Sequence, residues 1–234
     1  RLADRDISML RVPKFSKNLK FSITEIVSLN VSSLKKHFSD LSANQLLTKK
    51  HVICVQETWF EENDDIDTSY QLPSKLEMFV SAGRGKGVGV YYHPNFSQSH
   101  SVQKPCYQMA AVACEDLTVI NLYRSSNAKN EELIGDFLTL LQHYGSEQTL
   151  ILCGDFNFCE REDKLHPFRR MLKEKGFKSL LDPPRATHQE GRCLDQAYCR
   201  YGSQNIKYSL SPVDVGACSF SDHDPVEIKI WRRQ

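Results

Sequence analysis

An α/β sandwich, two β-sheets packed face to face with helices outside, is the fold class this sequence predicts, and three observations predict it. At least eight short apolar, β-branched runs are distributed along the chain. Three segments between them space their apolar residues at helical intervals. Two of the runs, HVICVQE and TLILCGD, are continuous apolar stretches that end abruptly in a carboxylate, Glu57 and Asp155. Buried strands that release an acid at their carboxyl end fix charged groups at the rim of a core, facing a cleft.

Taken in order, residues 1–20 are polar, contain Pro13 and show no sustained period, so an arm or linker is expected there, followed by one folded unit over 21–234. The expected strands are FSITEIVSLNV (21–31), HVICVQE (51–57), GVGVYYH (87–93), MAAVACE (109–115), LTVINLY (117–123), TLILCGDF (149–156), LDQAYCR (194–200) and PVEIKIW (225–231). The expected helices are 32–50, 130–144 and 164–175; the first two space Leu, Phe and Ile helically, and the third sets mixed charge around Phe168, Met171 and Leu172.

Composition narrows the function classes. The chain has 234 residues, 40% of them apolar, with 30 Lys+Arg against 29 Asp+Glu and a formal charge of +1. That length supports a sizeable core but does not by itself fix the domain count. The balanced charge excludes a polybasic arm or an acidic tail, so nucleic-acid binding must come from local patches. No apolar run approaches the ~20 residues of a membrane-spanning helix. The first residues lack the apolar stretch of a secretory signal and begin without Met, which implies a segment of a longer chain. Eight cysteines form no C-x-x-C pair and several lie inside strand-like runs, the usage expected of reduced thiols in a cytosolic or nuclear protein.

Four short segments place polar, metal-capable groups at the ends of apolar strands: Asn30; Gln56-Glu57-Thr58; Gly154-Asp155-Phe156-Asn157; and Ser221-Asp222-His223. Singly, each reads as turn or cap chemistry. Phosphodiester hydrolysis gives the set a common purpose. A hard cation must neutralise phosphoryl oxygens, a role that fits Glu57. A carboxylate and an amide on one tight turn, Asp155 and Asn157, suit activation of water, and His223 suits donation to the phosphate as charge builds.

In order and spacing, QET, GDFN and SDH resemble the endonuclease/exonuclease/phosphatase superfamily over roughly residues 21–231. The resemblance implies a four-layer, DNase I-like α/β sandwich of mostly antiparallel sheets. It implies that Asp195, in RCLDQAY, holds His223, and that Asp222 is a further metal-side or positioning carboxylate. It also implies that Tyr123 lies against the phosphate and Asn30 near metal and nucleophile. The implied cofactor is Mg²⁺, with Mn²⁺ as a substitute. Three departures refine it. Asn30 is followed two residues later by Ser32 where many relatives have an acid, which leaves Glu57 carrying more of the metal. The P-x-W-C-D-R signature of inositol phosphatases is absent. LYRSSN replaces the Tyr-x-Pro-Asn run of apurinic enzymes, and the pattern looks most like endonuclease domains of non-LTR retrotransposons and related mobile elements.

The implied activity is therefore a metal-dependent DNA endonuclease that nicks duplex DNA to leave a 3′-hydroxyl, acting in the nucleus or also the cytoplasm beside a reverse transcriptase or other domain of the same polypeptide. A deadenylase-like RNase and a catalytically inactive nucleic-acid-binding module are the alternatives. Expected DNA contacts are Arg84, Lys86, Arg124 and Arg192, with Thr187 and Ser221 beside them, whereas Lys35, Lys36, Lys49 and Lys50 read as a solvated face. The run GRGKGVG (83–89) lacks the Ser or Thr and the helix of a nucleotide loop, and EENDDID (61–67) lacks the alternating ligands of a calcium loop. Only seven residues (188–194) separate Thr187 from Asp195, which implies weak sequence preference.

Overall fold

The computed structural model describes residues 21–61, 64, 69–72, 77–81, 87–159, 165–181, 183–203, 208–210 and 213–233. The expected arm, Arg84, Lys86 and most of the acidic run 61–67 lie outside the described residues. The described elements are β1 (Phe21–Asn30), α1 (Leu34–Ala43), α2 (Gln45–Thr48), β2 (Val52–Gln56), β3 (Glu77–Ser81), β4 (Val88–Tyr92), β5 (Ser97–Lys104), β6 (Tyr107–Cys114), β7 (Leu117–Arg124), α3 (Asn130–Leu141), β8 (Thr149–Asp155), α4 (Pro167–Glu174), β9 (Lys178–Ser179), β10 (Asp195–Arg200), β11 (Tyr208–Leu210), β12 (Asp214–Val215) and β13 (Val226–Arg233). No helix among the described residues is long and apolar enough to cross a membrane.

The strands form two sheets. One runs β11-β13-β1-β2-β4-β3 with β12 also paired to β13; the other runs β5-β6-β7-β8-β10-β9. All pairings are antiparallel except β1 with β2 and β7 with β8. Those two parallel pairs are joined by helices, α1 and α2 in one case and α3 in the other, as parallel neighbours require. The sequence echo between HVICVQE and TLILCGD is thus structural: each is the second strand of a parallel pair, and each delivers its acid at a carboxyl end.

Period-two alternation divides the strand residues between layers. Ile26, Val52, Cys54 and Val90 of one sheet meet Val112, Val119, Ile151, Cys153 and Ala197 of the other in the central core. Val27, Leu29, Ile53 and Val55 turn outward onto Leu34, Leu41 and Leu47. Ile120, Leu122, Leu150 and Leu152 turn outward onto Leu133, Phe137 and Phe168. The layers are helix, sheet, sheet, helix. Strands covered on both faces have no polar side to alternate with, which explains their continuous apolar runs.

All eight expected strands are present. The stretch 32–50, expected as one helix, is broken at Asn44, whose N–H closes on Leu41 O while its side chain accepts from the N–H groups of Leu46 and Leu47. Asn44 therefore ends one helix and caps the next. Strand β5 went unforeseen because SQSHSVQK is polar and largely exposed, an edge strand carrying no apolar run.

Candidate active site

The carboxyl ends of the two parallel pairs face one cleft, and register puts the chemical groups in rows. On one sheet Tyr123 pairs with Asp155 and Asp155 pairs with Asp195, so three functional side chains stand side by side on β7, β8 and β10. On the other sheet Asn30 pairs with Gln56, the residue before Glu57. Between the sheets, Asn121 donates to the carbonyls of Val55 and Gly89 at 2.9 Å each and accepts from Gln56 Nε2, which also donates to Ser28. This buried network pins one sheet against the other just beneath the cleft.

Six non-glycine residues among those described have positive φ, and five of them border the cleft: Ser32, Ser33, Glu57, Trp59 and Asn157. Such conformations cost ~1–3 kcal/mol each and persist where the surroundings over-determine them. At Glu57 (φ 59°) the determinants are visible. Its N–H donates to Gly87 O, and its carbonyl accepts from the N–H groups of Ser33 and Leu34. Gly87 must be glycine, because a Cβ there would lie 2.0 Å from Thr58 Oγ1. The glycine run rejected as a nucleotide loop thus contributes a close approach that seats Glu57.

Asn30 bridges the two sheets' acids. Its Nδ2 donates to Glu57 Oε1 (3.1 Å) and Asp155 Oδ2 (2.9 Å), and its Oδ1 accepts from Ser32 N. Trp59 Nε1 donates to Glu57 Oε2 at 3.2 Å. Asp155 is buried and accepts from Asn157 N (2.9 Å) and Asn157 Nδ2 (3.1 Å), which folds GDFN into a tight turn with Asn157 at φ 50°. The Phe156 side chain is fully buried against Phe158, Phe168 and Tyr198, so the turn is anchored in the core. Gly154 has φ 140°, and a Cβ there would lie 1.9 Å from Leu122 O. Burial, then the charge of Asp195, push the Asp155 carboxyl up to about 7 against the opposing pull of His223, Asn157 and Asn30.

His223 Nδ1 lies 2.7 Å from Asp195 Oδ2, both groups being buried. Burial works against the charged imidazole. The hydrogen bond and charge of Asp195, reinforced by Asp155 and Asp222, overcome it and raise His223 to about 9. Asp195 Oδ1 has no hydrogen-bond partner among the described residues, so His223 is the main group answering its charge. Tyr123 is buried beside these acids; burial and the charges of Glu57 and Asp155 hold its phenol neutral well above the usual range.

The structure brings Asn30, Glu57, Tyr123, Asp155, Asn157, Asp195 and His223 together. Three residues expected at the DNA are instead engaged in hydrogen bonds within the protein. Arg124 is buried and donates to Phe156 O, Ala128 O and Asn130 Oδ1, tying the segment after β7 to the turn after β8. Thr187 is fully buried, and its Oγ1 accepts from the N–H groups of Leu194 and Asp195, which sets the position of Asp195. Ser221 donates to Asn30 O and accepts from His223 N, joining the asparagine to the histidine. Lys50 is likewise no solvated residue, since its ammonium, mostly buried, pairs with Glu227 at 2.7 Å and Glu25 at 3.5 Å. Arg192 stays half-exposed on the 188–192 turn.

Asp222 lies at the rim between Ser32 and His188. It accepts from Ser32 Oγ at 2.5 Å, and its Oδ2 lies 3.4 Å from His188 Nε2. Burial would raise its carboxyl, but the Ser32 hydrogen bond and the histidines hold it below the usual range. Ser32 and His188 are the site residues that sequence reasoning missed. Ser32 entered only as the missing acid, and His188 lies within a quoted segment where nothing indicated its direction.

Residues 27–223 match the sequence profile of the Endonuclease/Exonuclease/phosphatase family. No curated protein matches the chain. Among solved structures, the endonuclease domain of TRAS1, a telomere-specific non-LTR retrotransposon, is 14% identical with a TM-score of 0.63, covering 89% of this chain and 98% of its own. A 3′-5′ exonuclease from Neisseria meningitidis is 17% identical with a TM-score of 0.65, covering 88% and 98%. TDP2 of D. rerio, solved with a single-strand DNA product, is 14% identical with a TM-score of 0.60, covering 89% and 99%. At such identities these likenesses speak to fold, and the fold is the DNase I-like sandwich of nucleases and phosphodiesterases. With the matched profile spanning most of its length and these side chains at its strand ends, the chain belongs to the endonuclease/exonuclease/phosphatase family.

Proposed function

We propose that the chain is a Mg²⁺-dependent endonuclease that nicks duplex DNA, leaving a 3′-hydroxyl and a 5′-phosphate, of the type found in mobile elements. The observation that carries this reading is the Asn30 amide bridging Glu57 and Asp155 beside the Asp195–His223 pair. The likeness in fold to a retrotransposon endonuclease domain and to a structure holding a DNA product supports DNA as substrate.

The residues fit a dication. Glu57, Asp155 and Asp195 face one imidazolium, leaving negative charge uncompensated, and the Glu57 oxygens are hard donors. Glu57 would hold Mg²⁺, or Mn²⁺ in its place, and the ion would neutralise charge on the phosphoryl oxygens. The chain's own groups do the rest. Asp155, ionised, accepts a proton from the attacking water, whose oxygen bonds to phosphorus. Asn30 and Asn157 fix the Asp155 carboxylate so that its free lone pair faces that water. His223, protonated at Nε2 because Asp195 takes Nδ1, donates to a non-bridging phosphoryl oxygen as charge accumulates. Tyr123, held neutral, donates a second hydrogen bond to the phosphate. The P–O3′ bond breaks, the 3′ oxygen leaves and takes a proton from solvent water to become the hydroxyl, and Asp155 returns its proton to solvent.

On this reading the unit over 21–234 acts as one catalytic domain, in the nucleus, with Arg192 on the substrate side and a reverse transcriptase or other domain extending the nick. Supercoiled plasmid, single-stranded DNA and poly(A) RNA, offered in parallel with Mg²⁺ or chelator, test it. Nicked plasmid with ligatable ends and none in chelator is the expected result. Digestion of poly(A) with plasmid untouched overturns it in favour of a deadenylase, and binding without cleavage in favour of an inactive module.

A further inference from the structure

Next to the hydrolytic centre lies a donor set of a different chemical kind. His188 and His223 face each other across an isolated antiparallel bridge, so their side chains emerge together. Their rings sit 4.8 Å apart at 80°. Asp222 precedes His223, and one ligand atom from each of the three residues lies within 4.8 Å of the others. Bonds of ~2.0–2.1 Å at tetrahedral angles separate ligand atoms by about 3.3 Å. Asp222 Oδ2 is already 3.4 Å from His188 Nε2, so the closure of up to about 1.5 Å is needed toward His223.

Two imidazoles and a carboxylate select borderline transition ions such as Zn²⁺ or Co²⁺; Mg²⁺ and Ca²⁺ take oxygen. The surroundings suit such an ion. Asp195 occupies Nδ1 of His223 and fixes the ring, so Nε2 can bind a metal once the ion displaces its proton to solvent, which gives the carboxylate–imidazole arrangement of metal-bound histidines. Ser32 holds one Asp222 oxygen and leaves the other facing His188. His188 now accepts from Glu190 N at its Nδ1, so binding through Nε2 requires the proton to move to Nδ1 and that hydrogen bond to break, with the Glu190 carboxylate, now 4.0 Å away, moving in to accept the proton. Three protein ligands leave a fourth position open.

We propose that His188, Asp222 and His223 bind a borderline divalent transition ion, represented by Zn²⁺, and that the bound ion switches off hydrolysis by taking Nε2 of His223. The binding half stands on these residues alone; the switching half rests on the role given to His223 above.

Titrating the whole chain with Co²⁺ and following its visible d–d absorption tests binding. One ion per chain is expected, displaced by Zn²⁺, with affinity falling at least ~10–100-fold in His188→Ala and in Asp222→Asn and kept in Glu57→Gln. Should His188→Ala lose the native circular dichroism, Asp222→Asn decides. Binding indifferent to both variants, thiolate-type absorption from the cysteines, or no binding by folded protein overturns the site. Plasmid nicking at saturating Mg²⁺ then tests the switch: Zn²⁺ at the occupancy read by displacement should abolish nicking, and undiminished nicking overturns it. If the chain cleaves no nucleic acid at all, the hydrolytic reading fails while the Co²⁺ titration still decides the site.

Discussion

Replacing Asp195 by Asn changes one oxygen to nitrogen, keeps the volume and removes the partner that holds a proton on His223. With Asp195 the imidazole titrates at about 9, so about 97% of it is protonated at pH 7.5. Without it, burial no longer meets its main opponent, and the ring falls to or below its ordinary value near 6.5, where under about 10% is protonated. The difference of about 2.5 units corresponds to about 3 kcal/mol in the proton's affinity. Nicking at pH 7.5 should therefore drop at least about tenfold from protonation alone. Asp155 would lose both the negative charge of Asp195, which raises it, and part of the positive charge of His223, which lowers it, so the two losses oppose each other at its carboxyl. The pH–rate profile of the native chain is expected to be bell-shaped, rising with ionisation of Asp155 and falling near 9 as His223 loses its proton. In Asp195→Asn the alkaline limb should move to lower pH. Plasmid nicking across pH 5–10, with an NMR titration of the His223 ring, measures both effects. An alkaline limb and a ring pKa unchanged in the variant would refute the reasoning. As the two residues act as one device, Asp195→Asn with His223→Ala should be little slower than the worse single variant.

Glu57→Gln should cut nicking by about 100-fold or more while leaving the melting temperature near native, since it removes a rim charge and not core packing; partial rescue by excess Mg²⁺ in a titration of rate against metal checks the ligand role. Arg124→Ala should destabilise by about 3 kcal/mol, because buried carbonyls at Phe156 and Ala128 lose a charged donor, and lower the melting temperature by roughly 6–12 °C; an unchanged melting temperature with weaker DNA binding would return Arg124 to the surface. Gly154→Ala should cost at least the ~1–3 kcal/mol of a strained conformation, with the clash on Leu122 O added, read as loss of soluble folded protein or a lowered denaturation midpoint. In chelator, stability should fall as pH rises: His223, with its pKa raised on folding, contributes fully below about 6.5 and loses that contribution through about 9, while the raised Asp155 adds a penalty that grows from about pH 4 to 7, so melting temperatures at pH 6 should exceed those at pH 9.

The sequence by itself determined the strands and the identity of the central acids. Runs such as VICV and LILC are apolar without alternation because sheet and helix layers cover both their faces, so the pattern that marks a strand also marks a four-layer core. Glu57 and Asp155 were legible because each interrupts such a run at a carboxyl end, where a charge can only face a rim. What only the tertiary structure decided is direction and company. Arg124 follows an apolar strand and reads as a surface cation, yet the segment after β7 closes over it; a side chain's sense at a strand end depends on the next turn, which no local pattern encodes. Thr187 and Ser221 stand beside functional residues in the chain and turn out to hold them through backbone bonds, because the groups that seek hydrogen bonds there come from β1, β10 and the 221–223 turn, distant in sequence. His188 acquired neighbours for the same reason: it meets His223 through a bridge 35 positions long, and contacts at that separation are fixed by sheet register and layer packing.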